Sequence, residues 1–282
     1  QDLCDRRMSA VLTIAPFTPD HIPGAVGLSR AEAWPHRPED WALILGLSQG
    51  VVVLEGGRVV GTAMATVFGP VGMMNMIIVG ETMRGRGLGR RLMDAAMATA
   101  APQEWRLVAT ESGLPLYRKL GFTEQDRVVQ HQAIMTATVA PKGVEWAGPD
   151  DLGAIIAADT AATGADRAGL IAALSQAGRI ALLRRGGAVA GYAALRPFGR
   201  GEVAGPVIAG DADQARALLS FLLADRAGLF NRVDTTEDSG LAPWLTDLGL
   251  AHVGGGIGMS RGTRTPQVGN FYRFALAAQA LG

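Results

Sequence analysis

The segment Arg84-Gly85-Arg86-Gly87-Leu88-Gly89-Arg90 carries the clearest chemical potential in the chain. Alternating glycines let consecutive backbone N–H groups converge on one point. A helical pattern follows from Gly87 to about Ala100, with Leu88, Leu92, Ala96 and Ala100 on one face. The start of that helix adds about half a positive charge. Arg84, Arg86 and Arg90 add full charges beside it. Such a loop suits a di- or polyphosphate. Two familiar phosphate loops fail on spacing. A P-loop needs Lys-Ser/Thr after its last glycine, and Arg90-Arg91 stand there. A dinucleotide loop needs G-x-G-x-x-G; Gly89 arrives one residue early, and no acidic residue ends a following strand.

The segment resembles the coenzyme A pyrophosphate loop of GNAT-superfamily N-acyltransferases, R/Q-x-x-G-x-G/A, over Arg84 to Gly89. Downstream, Leu116-Tyr117-Arg118-Lys119-Leu120-Gly121-Phe122 is similar to a second phrase of that family, at the expected separation. The resemblance implies an N-acetyltransferase that uses acetyl-CoA as co-substrate and no metal. It implies that Ile77, Ile78 and Val79 offer their backbone to the pantetheine arm. It implies that loop amides across Arg84, Gly85, Arg86, Gly87, Leu88, Gly89 and Arg90 take the pyrophosphate, and that Tyr117 lies near the thioester sulfur as a proton donor. Glu81 stands where the family often has proline, and Thr110 where asparagine is frequent. Direct attack of an amine on a thioester needs a base and a stabilised leaving thiolate, and no covalent enzyme intermediate. Glu111, Glu81, Glu32 and His36 are the candidate bases, with ordered water as an alternative. Trp34 and Trp41 either line an acceptor pocket or pack in the core. Met73, Met74 and Met76 read as packing, and His21, His131 and His252 as isolated surface or core residues.

The elements that must position this loop occur twice. Residues 51–69 (VVVLEGGRVVGTAMATVFG) and 180–199 (IALLRRGGAVAGYAALRPFG) run in parallel, with Gly61 and Gly191 130 positions apart. Pro19-Asp20 and Pro149-Asp150 keep the same offset, and Leu120-Gly121 answers Leu248-Gly249. Repetition at one spacing implies two copies of a domain of about 130 residues. We place a catalytic domain at 8–140 and a degenerate, GNAT-like domain at 141–282, joined near Ala140-Pro141-Lys142-Gly143.

Each copy reads as an α/β unit with a mixed, mostly antiparallel sheet flanked by helices. The first copy predicts a strand at 11–15, a helical region at 20–48 and a hairpin turning at Gly56-Gly57. A central strand at 73–79, a strand at 105–110, a short helix at 113–119 and a closing strand at 127–137 complete it. In the second copy, no glycine follows Gly210 at the loop position, and Asp211 and Asp213 bring negative charge instead. Leu245 stands where Tyr117 does. The second copy is therefore expected to bind no coenzyme A. Asn270 to Leu276 is apolar enough to dock on a domain surface.

Composition bounds the rest. Lys plus Arg and Asp plus Glu both number 26, so there is no net charge to attract nucleic acid or an anionic membrane. No window approaches the roughly 18 apolar residues of a spanning helix. The single cysteine, Cys4, forms no intramolecular disulfide or cysteine metal cage and fits a cytoplasmic setting. Gln1 to Arg7 precede Met8, which we expect to be the natural start. The apolar run Ala10 to Ile14 meets Pro16 and Pro19, favouring a strand over a leader. The expected acceptor is a small amine or amino-acid-like molecule, and the expected assembly a monomer or homodimer. The alternatives are a non-catalytic acyl-CoA-binding or sensing protein and a protein N-acetyltransferase.

Overall fold

The computed structural model describes residues 11–282; Cys4 and the expected start at Met8 lie outside them. The first half runs β1 (Leu12–Pro16), α1 (Ile22–Ala31), α2 (Pro38–Leu47), β2 (Ser48–Glu55), β3 (Arg58–Phe68) and β4 (Val71–Val79). It continues through α3 (Leu88–Met97), β5 (Glu104–Ala109), α4 (Leu114–Lys119) and β6 (Thr123–Ile134). The second half repeats the order as β7 (Val144–Trp146), α5 (Leu152–Thr163), α6 (Ala168–Ala177), β8 (Arg179–Arg185), β9 (Ala188–Phe198) and β10 (Gly201–Ala209). Then come α7 (Ala212–Leu223), β11 (Phe230–Thr236), α8 (Ala242–Asp247) and β12 (Ala251–Gly262). A last strand, β13 (Tyr272–Ala275), has no counterpart among the described residues of the first half.

All strands join one sheet in the order β1-β2-β3-β4-β5-β12-β6-β11-β13-β10-β9-β8-β7. Only β4 with β5 and β10 with β11 run parallel. The order corrects one expectation. β6 does not close its own copy: it pairs along its length with β11 of the second half. In return β12 pairs antiparallel with β5 of the first half, from Ile257 opposite Ala109 to Gly262 opposite Glu104. The exchanged strands also pair with each other, fusing the two sheets edge to edge. The chemical reason is that alternation along a strand fixes which face is buried and leaves the partner strand undetermined. Ile257 and Met259 fill the first half's core, and Met135, just after β6, fills the second's.

Helices cover both faces. α3 turns Leu88, Leu92, Met93 and Ala96 onto the sheet beneath it, and α7 does the same with Leu218, Leu219 and Leu222. On the opposite face α1, α2, α5 and α6 share one apolar layer, in which Trp41 is fully buried and stacked 5.7 Å from Phe17. Ile155, Leu170, Ile171 and Leu174 of the second half belong to the same buried cluster, so this layer binds the halves together. Among the described residues, no helix is long and apolar enough to cross a membrane.

Candidate active site

β4 creates the site by leaving its neighbour. It pairs with β5 only from Val71 to Met73, and the two strands then diverge. The divergence begins at a bulge in the β3–β4 ladder between Thr62 and Met64. Met76 there has φ +48°, and its carbonyl accepts a 2.7 Å hydrogen bond from the Thr62 hydroxyl. A bulge bends its strand and raises the local twist. Beyond it, Ile77, Ile78 and Val79 present a backbone edge with no strand partner on the β5 side.

A cleft of about 370 Å³ occupies this divergence. Ile77, Ile78, Val79, Arg84, Gly85, Gly87, Leu88, Gly89, Arg90 and Tyr117 line it together. Arg86 is exposed and lies outside the lining. Gly85 and Gly87 take φ +76° and +71°, the left-handed region that glycine enters without strain, and a Cβ on either would meet only open space. Gly87 is the N-cap of α3 and has no side chain to satisfy the first amides of the helix, which face the cleft as free donors. The Arg84 side chain is partly committed: its Nε donates to the Val79 carbonyl at 3.1 Å, and its guanidinium pairs with Glu32 at the end of α1. That pair ties the loop to the strand end.

Tyr117, on α4, is buried beside Phe122, and burial pushes its hydroxyl up to about 12. It stays protonated throughout the neutral range. With Trp34, Ile77 and Thr110 it also lines a second cavity, of about 350 Å³, so the two spaces meet at its ring. This second cavity lies between the halves. The first contributes Trp34, His36, Asn75, Met76 and Gln130; the second contributes Phe198, Arg200, Arg232 and Gln279. Met73, Met74 and Met76 are buried in the core, as expected, and Met74 and Met76 also touch this cavity. Of the candidate bases, His36 alone reaches this cavity. Glu32 lines the cleft and is tied to Arg84, and Glu81 and Glu111 line neither space. His36 packs edge-on against Phe198 at 5.3 Å, and its Nδ1 has no partner. Burial lowers it to about 4, helped by Arg232 and Arg196 and opposed by Asp40.

Sequence reasoning allowed the second half to wall the acceptor pocket but could not name the residues, because no local spacing connects Arg200 or Arg232 with Tyr117. It also missed the pairing of His131 with His252, whose rings stack at 5.4 Å across β6 and β12. No group of three or more His, Cys, Asp or Glu is arranged to hold a metal among the described residues.

The second half has the same divergence, and it is filled. β10 and β11 pair only at Glu202 and Val203, and β13 enters the gap beyond. There Ala209 faces Tyr272 and Thr235 faces Ala275. The helix start is filled too: Asp211 caps α7 by accepting from the Gln214 amide at 2.8 Å. Leu245 takes the place of Tyr117, as fourth residue of its short helix, and is fully buried.

Comparison with known proteins agrees with this geometry. Residues 47–124 and 155–272 each match the family described as Acetyltransferase (GNAT) domain. The chain is a tandem GNAT protein. It is 27% identical over 272 residues to the uncharacterized N-acetyltransferase YitH of Bacillus subtilis (strain 168), covering 93% of this chain and 96% of that one. Its fold is shared with a protein of Pyrococcus horikoshii (TM-score 0.80, 20% identity, 96% of both chains). It is shared also with a tandem GNAT protein from the clavulanic acid biosynthesis pathway (TM-score 0.61, 15% identity, 89% and 98%). Within this GNAT pair the halves have diverged: one keeps an open divergence and a bare helix start, while the other has closed both with its own chain.

Proposed function

We propose that the protein is an acetyl-CoA-dependent N-acetyltransferase with one active site, in its first half, acting on a small amine. The observation that carries this reading is the meeting of the phosphate-type cleft and the inter-half cavity at Tyr117. When bound, acetyl-CoA supplies an acyl group activated as a thioester. The residues present fit it: free amides at Gly85 to Arg90 suit a pyrophosphate, and the open edge of Ile77 to Val79 suits an amide-bearing arm.

The chain's own groups divide the remaining work. The Tyr117 hydroxyl, protonated at neutral pH, donates a hydrogen bond to negative charge growing on a leaving sulfur. Complete transfer from a group near 12 to a thiolate of ordinary pKa, about 8.5, is uphill, so stabilisation by donation is its role. His36 is neutral at pH 7, and its imidazole, on the cavity wall, can accept a proton from the attacking nitrogen. A weak base suffices there, because nitrogen becomes strongly acidic as its new bond forms. Trp34 and Phe198 keep the acceptor's apolar part out of water.

The test is acetyl transfer from acetyl-CoA across a panel of small amines, read by free thiol release and product mass. Transfer to at least one amine supports the reading. Tight coenzyme A binding without transfer to any amine, small or peptidic, would favour a sensing module instead.

A further inference from the structure

The acceptor cavity has a one-sided charge. Arg200 and Arg232 line it, and no aspartate or glutamate does. Behind the wall, Arg232 is held by Asp234 through bonds of 2.8 and 3.0 Å. Arg37 binds Asp40 at 2.9–3.0 Å, and Arg196 shares the same carboxylate at 3.8 Å. Arg200 has no carboxylate partner among the described residues; it stacks over Phe230 at 4.7 Å and reaches the Gln132 amide oxygen at 3.3 Å. The group therefore sets four guanidiniums (Arg37, Arg196, Arg200, Arg232) against two carboxylates (Asp40, Asp234). Arg196 falls to about 10 chiefly through burial, opposed by Asp40 and added to by the charges of Arg37 and Arg232.

We propose that the acceptor amine carries a carboxylate, bound by Arg200 and Arg232 of the second half while its amine faces Tyr117 and His36. The proposal rests on the acetyl-transfer reading and adds the substrate class. A planar guanidinium fork matches a carboxylate: Arg200, steadied by its stack on Phe230, carries no carboxylate, while Arg232, whose Nε and Nη2 are taken by Asp234, adds only its remaining edge. A single negative charge is what Arg200 lacks. A neutral amine would leave the site's excess charge unanswered, and a second cation would be repelled. The second half, without a cofactor slot of its own, thus selects the acceptor for the first.

The experiment is calorimetry on the full chain loaded with coenzyme A. The probes are phenylalanine and the ω-amino acids from glycine to 5-aminopentanoate, each against its primary amide. We expect at least one acid to bind tenfold or more tighter than its amide. Arg200→Met, which keeps the stack on Phe230 and removes the charge, should bring that ratio within threefold, and Arg200→Lys should restore part of it. The proposal is overturned if no acid binds, if the amides bind as well, or if the preference survives Arg200→Met. Acid-selective binding with no acetyl passed to any acid would sink the transferase reading alone, since the charge preference is read without turnover.

Discussion

Val79 and Ala209 hold equivalent places at the ends of their strands, yet Ala209 is paired with Tyr272 while the outer edge of Val79 faces an open cleft. One half keeps open a gap that the other fills with its own backbone.

That contrast fixes a stoichiometry. Calorimetric titration should give one coenzyme A per chain. Gly87→Asp should lower that affinity by ~100-fold or more, since an aspartate there caps α3 as Asp211 caps α7, repels phosphate, and takes a φ that costs about 1–2 kcal/mol for an L-residue. Unchanged affinity in the variant would remove the loop from the site.

Tyr117→Phe tests the hydrogen-bond donor. The hydroxyl has no hydrogen-bond partner among the described residues, so its loss should leave the melting temperature within a few degrees. We expect kcat to fall by ~100-fold, while KM for acetyl-CoA moves less than threefold. A wild-type kcat in the variant would end the assignment. No alkaline limb below pH 10 should trace to this residue, because its pKa is raised to about 12.

His36 should make the protein acid-sensitive. Its folded pKa, about 4, lies below the ordinary 6.5, so the unfolded chain binds the extra proton between those values. Stability is unaffected above pH 6.5 and declines as pH falls toward 4. Allowing for its half-open position, wild type should lose about 1–2 kcal/mol more than His36→Gln between pH 7.5 and 5 in urea unfolding. Equal losses would mean that His36 is charged or free in the fold.

Met259 belongs to the second copy by sequence and to the first half's core by position. Met259→Ala should cost about 2–4 kcal/mol of unfolding free energy. The same exchange predicts that residues 11–140 and 141–282, made separately, aggregate or fail to fold, and recover as a soluble complex when made together. A soluble, monomeric 11–140 fragment would contradict the exchanged strands.

Much of this molecule was legible in the chain, for reasons that are local. The loop of Arg84 to Arg90 combines glycines at left-handed positions with a helix start, and both properties lie in contiguous residues. Tyr117 comes with its own turn of helix and the Leu120-Gly121-Phe122 that follows it. The capped helix start of the second copy was visible in Asp211 and in the missing glycines. What could not be seen depends on distant pairing. The alternation of β6 serves equally well beside β11 or beside a strand of its own copy. The tail at Asn270 to Leu276 has the apolarity of a docking segment, but its place as β13 follows from a gap that only the assembled sheet contains. Arg200 and Arg232 look like ordinary surface arginines until β6 and β12 bring the halves together.

The crossed closing strands also bear on descent. A duplicate whose own gap has closed would ordinarily be free to erode or be lost. Here its deletion would strip the working copy of a flank and expose raw sheet to solvent. Mutual completion turns a redundant gene segment into an inseparable one, and so gives the idle copy time to acquire a new duty.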